Sequence, residues 1–292
     1  MELLRTVEAM QAHADAAESA GRTRALVPTL GALHDGHLAL VRTALEKADH
    51  VTVSVFVNPT QFGPGEDYDA YPRDLEGDRA ALEALGVDAL FAPTVDEMYP
   101  FLQEEGMPSP LAWVSVEQLD EHLCGAYREG HFRGVATVVT KLFHACRPDI
   151  GVFGKKDAQQ YVLLRRLTEA LLLDIEIVGV PTVREPDGLA KSSRNAYLDP
   201  HERAQAPVLY EAVTAAKTAI EGGEQEAQAV VGAMQNSLSA APLARVQYAD
   251  VVDAHTLQPV QRLAPGQEVL AAVAVFFGDT RLIDNAFVSV PR

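Results

Sequence analysis

From the N-terminus to Pro181, short apolar runs alternate with longer segments in which apolar residues return every three or four positions. Residues 3–20 carry helical spacing and predict a surface helix. Ala25-Leu26-Val27 reads as the end of a buried strand, and Pro28-Thr29 is expected to break its ladder, because proline has no N–H to donate. Gly31 supplies a tight turn, after which Leu38, Leu40, Val41, Ala44 and Leu45 predict a helix through about Lys47. The β-branched run Val51–Val57 has strand length. It leads into the polar loop Asn58-Pro59-Thr60-Gln61-Phe62-Gly63 and an ordered acidic, aromatic loop at 65–73. A helix is expected over 74–85 with Gly86 past its end, then a strand over 87–92 closed by Pro93.

Residues 94–131 mix proline, glycine and polar residues, with a short strand expected at 112–116. Beyond them the pattern predicts a buried helix over 134–146, a strand over 149–153, a helix over 158–170 and a strand over 175–180. Strands alternating with helices indicate an α/β fold, a Rossmann-like doubly wound parallel sheet. After Pro181 the texture changes. A loop at 184–195 precedes helices at about 200–222 and 224–238 and strands at 246–252, 269–277 and 281–288, the pattern of a smaller α+β domain. The expected division is therefore 1–184 and 185–292.

Composition narrows the partners. The chain has 292 residues, 48% hydrophobic and 22% charged, enough for an ample core. Its 41 acidic against 24 basic residues give a formal charge of −17. No Lys/Arg cluster offers a nucleic-acid surface, although a local basic pocket for a small anion remains open. Cys124 and Cys146 lie in no CxxC pair and read as reduced structural thiols. No stretch has the length and apolarity of a membrane span or a signal peptide, so a cytoplasmic location is expected.

The candidate chemistry gathers after strands. His34 and His37 flank a helix start just past a strand end, where open α/β sheets bind ligands and where the helix dipole favours phosphate. The plain alternative is a pair of surface histidines at a cap. A metal is disfavoured, because no third ligand has suitable spacing. Asn58 and Gln61 follow the next strand; uncharged amides suit a hydroxyl-bearing substrate, or else serve their own turn. Gly154-Lys155-Lys156-Asp157-Ala158-Gln159-Gln160 repeats the strand–glycine–helix pattern. Lys156 could hold a phosphate, Asp157 could ligate or cap the next helix, and Gln160 projects from its first turn. Lys191-Ser192-Ser193-Arg194-Asn195 places two hydroxyls between cations. Arg128, near His131-Phe132-Arg133-Gly134, could pair with a carboxylate in bidentate fashion, or remain an exposed loop arginine.

Taken together, PTLGALHDGH, FVNPTQFG, DAYPRD, HFRGVATVVTKLF, VFGKKDAQQ and VPTVREPDGLAKSSRNAYLD resemble, in order and spacing, the pantoate–β-alanine ligase family. HxGH with the Ser-Ser-Arg loop also resembles the HIGH and KMSKS elements of the wider nucleotidyltransferase superfamily. The resemblance implies that ATP and pantoate form pantoyl adenylate and pyrophosphate, and that β-alanine then displaces AMP to give pantothenate. It implies ATP binding by Leu30, Gly31, Ala32, Leu33, His34, Asp35, Gly36 and His37. It extends that role to Gly154, Lys155, Lys156, Asp157, Val183, Lys191, Ser192, Ser193 and Arg194. His37, as proton donor, His34, Lys156 and Arg194 would carry the chemistry. Gln61 and Gln160 would hold pantoate with Asn58 nearby. Residues 1–184 would bind nucleotide and pantoate, and 185–292 would close over ATP. Mg²⁺ is expected with ATP, with no protein ligand assigned; Asp78 is the one carboxylate considered for an outer contact. A homodimer is implied. Leu30, Lys155 and Lys191 depart from the commoner Met, Glu and Met or Leu of the family, and the two lysines add charge near the phosphates. The competing readings are another nucleotidyltransferase or adenylate-forming enzyme acting on a different small acid, and a module that senses ATP without turnover.

Overall fold

A computed structural model describes residues 1–101 and 110–292. In chain order the first elements are β1 (Glu2–Leu4), α1 (Val7–Ser19), β2 (Arg24–Thr29), α2 (Asp35–Lys47), β3 (His50–Val55), α3 (Leu75–Leu85), β4 (Ala89–Phe91) and α4 (Val95–Met98). Then come α5 (His131–Cys146), β5 (Ile150–Gly154), α6 (Ala158–Ala170) and β6 (Glu176–Val180). The remainder is α7 (Pro200–Gln205), α8 (Val208–Glu221), α9 (Ala227–Leu238), β7 (Arg245–Asp253), β8 (Glu268–Phe277) and β9 (Thr280–Ser289). Among the described residues no helix is long and apolar enough to cross a membrane.

The chain groups into two compact units. The first holds Met1–Val116, Arg128–Lys155 and Leu163–Pro181; the second holds Glu117–Tyr127, Lys156–Val162 and Thr182–Arg292. The main switch thus falls after Pro181 rather than 184, and two earlier segments join the second unit. Gln159 is one reason. Its buried amide donates to the carbonyls of Leu119 and His122 at 2.9 and 2.8 Å, tying 156–162 to 117–127.

In the first unit the described strands form a six-stranded sheet ordered β1-β4-β3-β2-β5-β6. Every pair is parallel. Ala25 and Val27 of β2 face a cluster with Val53, Leu90 and Val152 under Leu40, Val41 and Leu82 of α2 and α3. Leu26 alternates to the other face, is equally buried, and α1 and α5 pack against β2. Cover on both faces is why these strands read as unbroken apolar runs. From β2 the chain winds outward to β3 and β4 on one side, and from β5 to β6 on the other, so the topology reverses between β2 and β5. Ligands of such sheets bind beyond the strand ends at that switch. In the second unit β7-β8-β9 form an antiparallel sheet. Its apolar face, including Val251, Val273 and Phe277, packs on Leu209, Val213, Val230 and Met234 of α8 and α9.

Several expectations are corrected. Residues 2–4 are not helical but pair with β4, Leu3 opposite Leu90. The helix begins only after Thr6, whose Oγ accepts from Ala9 N at 3.2 Å; a three-residue strand is too short to show a period. Pro28 and Thr29 do not leave the sheet. They pair with Ser54 and Val55 of β3, whereas pairing with β5 stops at Leu26. The missing N–H of proline interrupts one ladder only. No strand forms at 112–116. Val114 N donates instead to Thr137 Oγ at 3.0 Å, and the Arg133 guanidinium lies 4.2 Å over the Trp113 ring. The 200–222 helix is two helices, split at Ala206-Pro207 because proline cannot donate within a helix. α5 starts at His131, a turn early, after Gly130 at φ 74°.

Candidate functional site

The β2–α2 loop is held in a shape its sequence alone would not adopt. Gly31 has φ +89°, and a Cβ there would lie 2.9 Å from Val55 Cγ1 and 3.0 Å from Asp78 Oδ2. Ala32 follows at φ 51°, a left-handed conformation disfavoured for a residue with a Cβ. Asp78, in the first turn of α3 and 3% exposed, offsets that strain. Its Oδ2 accepts from Ala32 N at 3.0 Å and its Oδ1 from Leu33 N at 2.7 Å. Burial pushes its carboxyl above the usual range, against the pull of the two amides. Both oxygens therefore face the chain itself. The sequence does hold a signal for this: Asp78 and Leu82 share one helix face at i, i+4, and Leu82 is core.

The loop delivers His34 to the N-cap of α2. His34 Nδ1 accepts from Gly36 N at 3.1 Å, and His34 N donates to His37 Nδ1 at 3.4 Å, a reciprocal cap made of two histidines. The rings stack 4.1 Å apart at 30°. In a neutral imidazole whose Nδ1 accepts, the proton sits on Nε2. In each ring Nε2 is therefore the protonated nitrogen, at the N-terminus of a helix that follows β2.

Asn58 and Gln61 lie early in the loop that follows β3, the neighbour of β2. Asn58 is 0% exposed and caps the turn Pro59–Gln61. Its Oδ1 accepts from Thr60 Oγ at 2.9 Å and Tyr99 Oη at 2.8 Å, and its Nδ2 donates to Gln61 Oε1 at 3.0 Å and Gly134 O at 3.3 Å. Burial pushes the Tyr99 phenol up to about 12. Asn58 thus acts on its own loop and on Gln61, as the turn reading allows. The Gln61 carbonyl accepts from His131 Nδ1 at 2.7 Å, and His131 Nε2 lies 2.9 Å from Arg128 Nη1. The bidentate partner of Arg128 is Glu66, with both N–H···O distances 2.7 Å. Burial favours the neutral Glu66 carboxyl, but the Arg128 pair overrides it and holds the group at about 2. Gly134 lets α5 approach, since a Cβ there would lie 2.2 Å from Thr60 O.

The remaining site residues of the sequence reading belong to the second unit, apart from Gly154 and Lys155 at the end of β5. Lys156 and Asp157 lie in the turn before α6, with Lys156 Nζ 3.8 Å from Asp157 Oδ1. Gln159 is buried and structural, whereas Gln160 is half-buried. The loop carrying Lys191–Arg194 is a braced hairpin. Lys191 N donates to Val183 O at 2.9 Å, Arg184 and Ala190 bridge, and Asn195 Nδ2 donates to Glu185 Oε1 and Ala190 O at 3.0 and 3.1 Å. Ser192 Oγ accepts from Arg194 N at 3.3 Å, starting the turn Ser193–Tyr197. Two residues that sequence reasoning missed connect this loop to Lys156. Asp284, 1% exposed, takes Arg184 in a bidentate pair at 2.6 and 3.0 Å. Its neighbour Asn285 donates to Lys156 O at 2.7 Å. An inward carboxylate on a strand carries no periodic signature. Among the described residues no group of three or more His, Cys, Asp or Glu side chains is placed to hold a metal ion.

Known proteins resemble this chain over its whole length. The family model for pantoate-beta-alanine ligase matches residues 2–287. The pantothenate synthetase of Salinibacter ruber is 79% identical over 291 residues, covering 100% of this chain and 99% of its own. A crystal structure of pantothenate synthetase from Thermus thermophilus superposes with TM-score 0.89 at 45% identity over 100% of both chains. That of pantoate-beta-alanine ligase from Francisella tularensis, complexed with beta-gamma ATP and beta-alanine, gives 0.78 at 30% identity, covering 98% of this chain and 97% of its own. The chain belongs to the pantoate–β-alanine ligase family, enzymes that join pantoate to β-alanine.

Proposed function

We propose that this chain runs the ligation in two displacements, with roles assigned as follows. The pantoate carboxylate attacks the α-phosphorus of ATP, and the bond to pyrophosphate breaks. The β-alanine amine then attacks the acyl carbon, and AMP leaves. The protein supplies no nucleophile; it supplies aligned donors and cations where charge develops. His34 and His37 donate through Nε2–H to phosphate oxygens, with His37 as proton donor. Leu30, Gly31, Ala32, Leu33, Asp35 and Gly36 shape that part of the nucleotide site. Gly154, Lys155, Lys156, Asp157, Val183, Lys191, Ser192, Ser193 and Arg194 are assigned to the nucleotide, with Lys156 and Arg194 on its phosphates. Gln61 and Gln160 hold pantoate, and Asn58 contributes by orienting Gln61. Mg²⁺ is taken as part of the nucleotide substrate, carried by phosphate oxygens and water, consistent with Asp78 having both oxygens on amides. A cytoplasmic homodimer completes the proposal; mass measurement in solution tests the dimer.

The observation that carries this reading is the paired histidine cap, which fixes two Nε2–H donors at one helix N-terminus beyond β2. The test is release of AMP and pyrophosphate by the purified chain. AMP release that requires both pantoate and β-alanine is expected, with pyrophosphate from a single turnover on pantoate alone. Pyrophosphate formed with another acid but not with pantoate would favour the alternative adenylating enzyme, and ATP binding without release would favour a sensor.

A further inference from the structure

The assigned roles leave Glu66, Arg128 and His131 without a task, although they form the most strongly charge-coupled cluster near the Asn58 loop. We propose that these three are positioning residues that anchor the Gln61 backbone carbonyl, so that its side-chain amide, oriented by Asn58, directs its N–H groups toward the substrate. The proposal rests on the assignment of Gln61 to pantoate.

The polarity of the cluster can be followed bond by bond. Glu66 is held ionised at about 2, and an ionised carboxylate only accepts. It takes two N–H groups of Arg128, from Nε and Nη2, each at 2.7 Å, and its Oε2 also accepts from Gly63 N at 3.1 Å. This fork fixes the guanidinium plane and aims Nη1 at His131 Nε2, 2.9 Å away. Guanidinium has no acceptor, so Nε2 must accept and the imidazole proton must sit on Nδ1. Nδ1–H then donates to the Gln61 carbonyl at 2.7 Å. Arg128 Nη2 also reaches that carbonyl at 3.5 Å. From the other side Asn58 Nδ2 donates to Gln61 Oε1 at 3.0 Å. Asn58 itself cannot flip, because its Oδ1 accepts from Thr60 N at 3.3 Å and its Nδ2 donates to Gly134 O at 3.3 Å, and neither partner can reverse its role.

Both carbonyl oxygens of Gln61 are therefore engaged by the protein, and its Nε2 amide hydrogens are what it can offer a ligand. Those N–H groups suit acceptor atoms, a carboxylate or a hydroxyl lone pair, which matches a hydroxy acid. Without the Glu66–Arg128 fork, Arg128 Nη1 is no longer aimed at His131 Nε2, and the hold of the imidazole on the Gln61 backbone is weakened.

Steady-state kinetics on the full chain tests this. Glu66→Gln keeps the shape and removes the charge, and Arg128→Lys removes the fork. Each is expected to raise the pantoate KM about tenfold, the order set by loss of one charge-assisted hydrogen bond, with the ATP KM unchanged. The double variant should be no worse than either single change, because both break one device. His131→Asn places an amide donor near the Nδ1 position and should retain most pantoate affinity, whereas His131→Leu should not. Thermal melts accompany each variant. Lower melting temperature with pantoate KM unchanged means a purely structural role and overturns the proposal. So do equal rises in both KM values, or effects that multiply in the double variant. Two controls separate this failure from failure of the functional reading. If the wild-type chain shows no pantoate-dependent AMP release, the ligase reading falls first. If Gln61→Leu leaves pantoate KM unchanged, the substrate assignment of Gln61 falls and the proposal with it.

Discussion

His34 and His37 each use Nδ1 on the backbone at the start of α2, so the cap and the phosphate-donor role proposed for them use two ends of one ring. The two roles can be separated by substitution. His37→Asn keeps an acceptor near Nδ1 and removes the distant donor, whereas His37→Ala removes both. Single-turnover adenylate formation should fall by about 10²-fold or more in both, the usual loss for one aligned donor. Only the Ala variant should also lose the roughly 1 kcal/mol of a helix cap. Near-normal adenylation in His37→Asn would reduce His37 to a cap. Asp78 makes a second test at this scale. In Asp78→Asn an NH₂ replaces one of two oxygens that face amides at 3.0 and 2.7 Å. Urea unfolding should show a loss of about 1–3 kcal/mol, the cost of one unsatisfied buried donor. An unchanged midpoint would mean that the loop does not depend on this clamp.

At the scale of elements, each site segment is a loop after a parallel strand, and its position depends on how closely the next element can approach. Gly134 is the clearest case, with its α-carbon against the Thr60–Gln61 backbone. Gly134→Ala should push α5 off that backbone and cost about 1–3 kcal/mol by overpacking. It should also weaken pantoate binding while sparing ATP. Wild-type stability and pantoate KM in this variant would show that α5 can shift freely. The same scale explains what was readable in the sequence. The ends of α3 and α6 could be placed because Gly86 adopts φ 83° at its C-cap and because Ala158–Ala170 keeps an unbroken period. β1 could not, being three residues paired to a distant strand. Nor could the absence of a strand at 112–116, where Val114 N donates to the Thr137 hydroxyl instead of to a sheet. The motif residues were legible because they recur in order. Of the residues that hold them in place, Glu66 and Asp284 were not, since a carboxylate facing inward looks in sequence like one facing water, whereas Asp78 shares a helix face with core Leu82.

For the whole molecule, acid sensitivity should arise away from the site. His50, 4% exposed at the start of β3, has neither ring nitrogen hydrogen-bonded. Asp88 stands 3.7 Å from it, the His13 ring lies 4.9 Å away, and His13 in turn pairs with Glu2 at 3.0 Å. Burial lowers the His50 pKa from 6.5; Asp88 opposes this, while His13, Arg22 and Arg24 add to it. The folded chain therefore binds fewer protons here than the unfolded chain. This contribution is complete above 6.5 and is lost as pH falls from 6.5 toward the lowered value. Unfolding free energies at about pH 7.5 and about pH 5.5 should differ less in His50→Gln than in the wild type. Equal differences would place the sensitivity elsewhere.

The interleaving of the two units has a consequence for how the protein is made. All segments of the first unit have been synthesised once Pro181 emerges, but 117–127 and 156–162 belong to a unit whose sheet lies within 245–289. At roughly 5–20 residues per second, residues 182–292 need on the order of ten seconds more. For that interval Tyr127, which stacks on Tyr248 at 5.9 Å, and Cys124, 3.2 Å from the Tyr248 hydroxyl, have no β7 to meet. The nascent chain thus carries every strand of the parallel sheet, β1 to β6, while two segments of the second unit still await the rest of theirs.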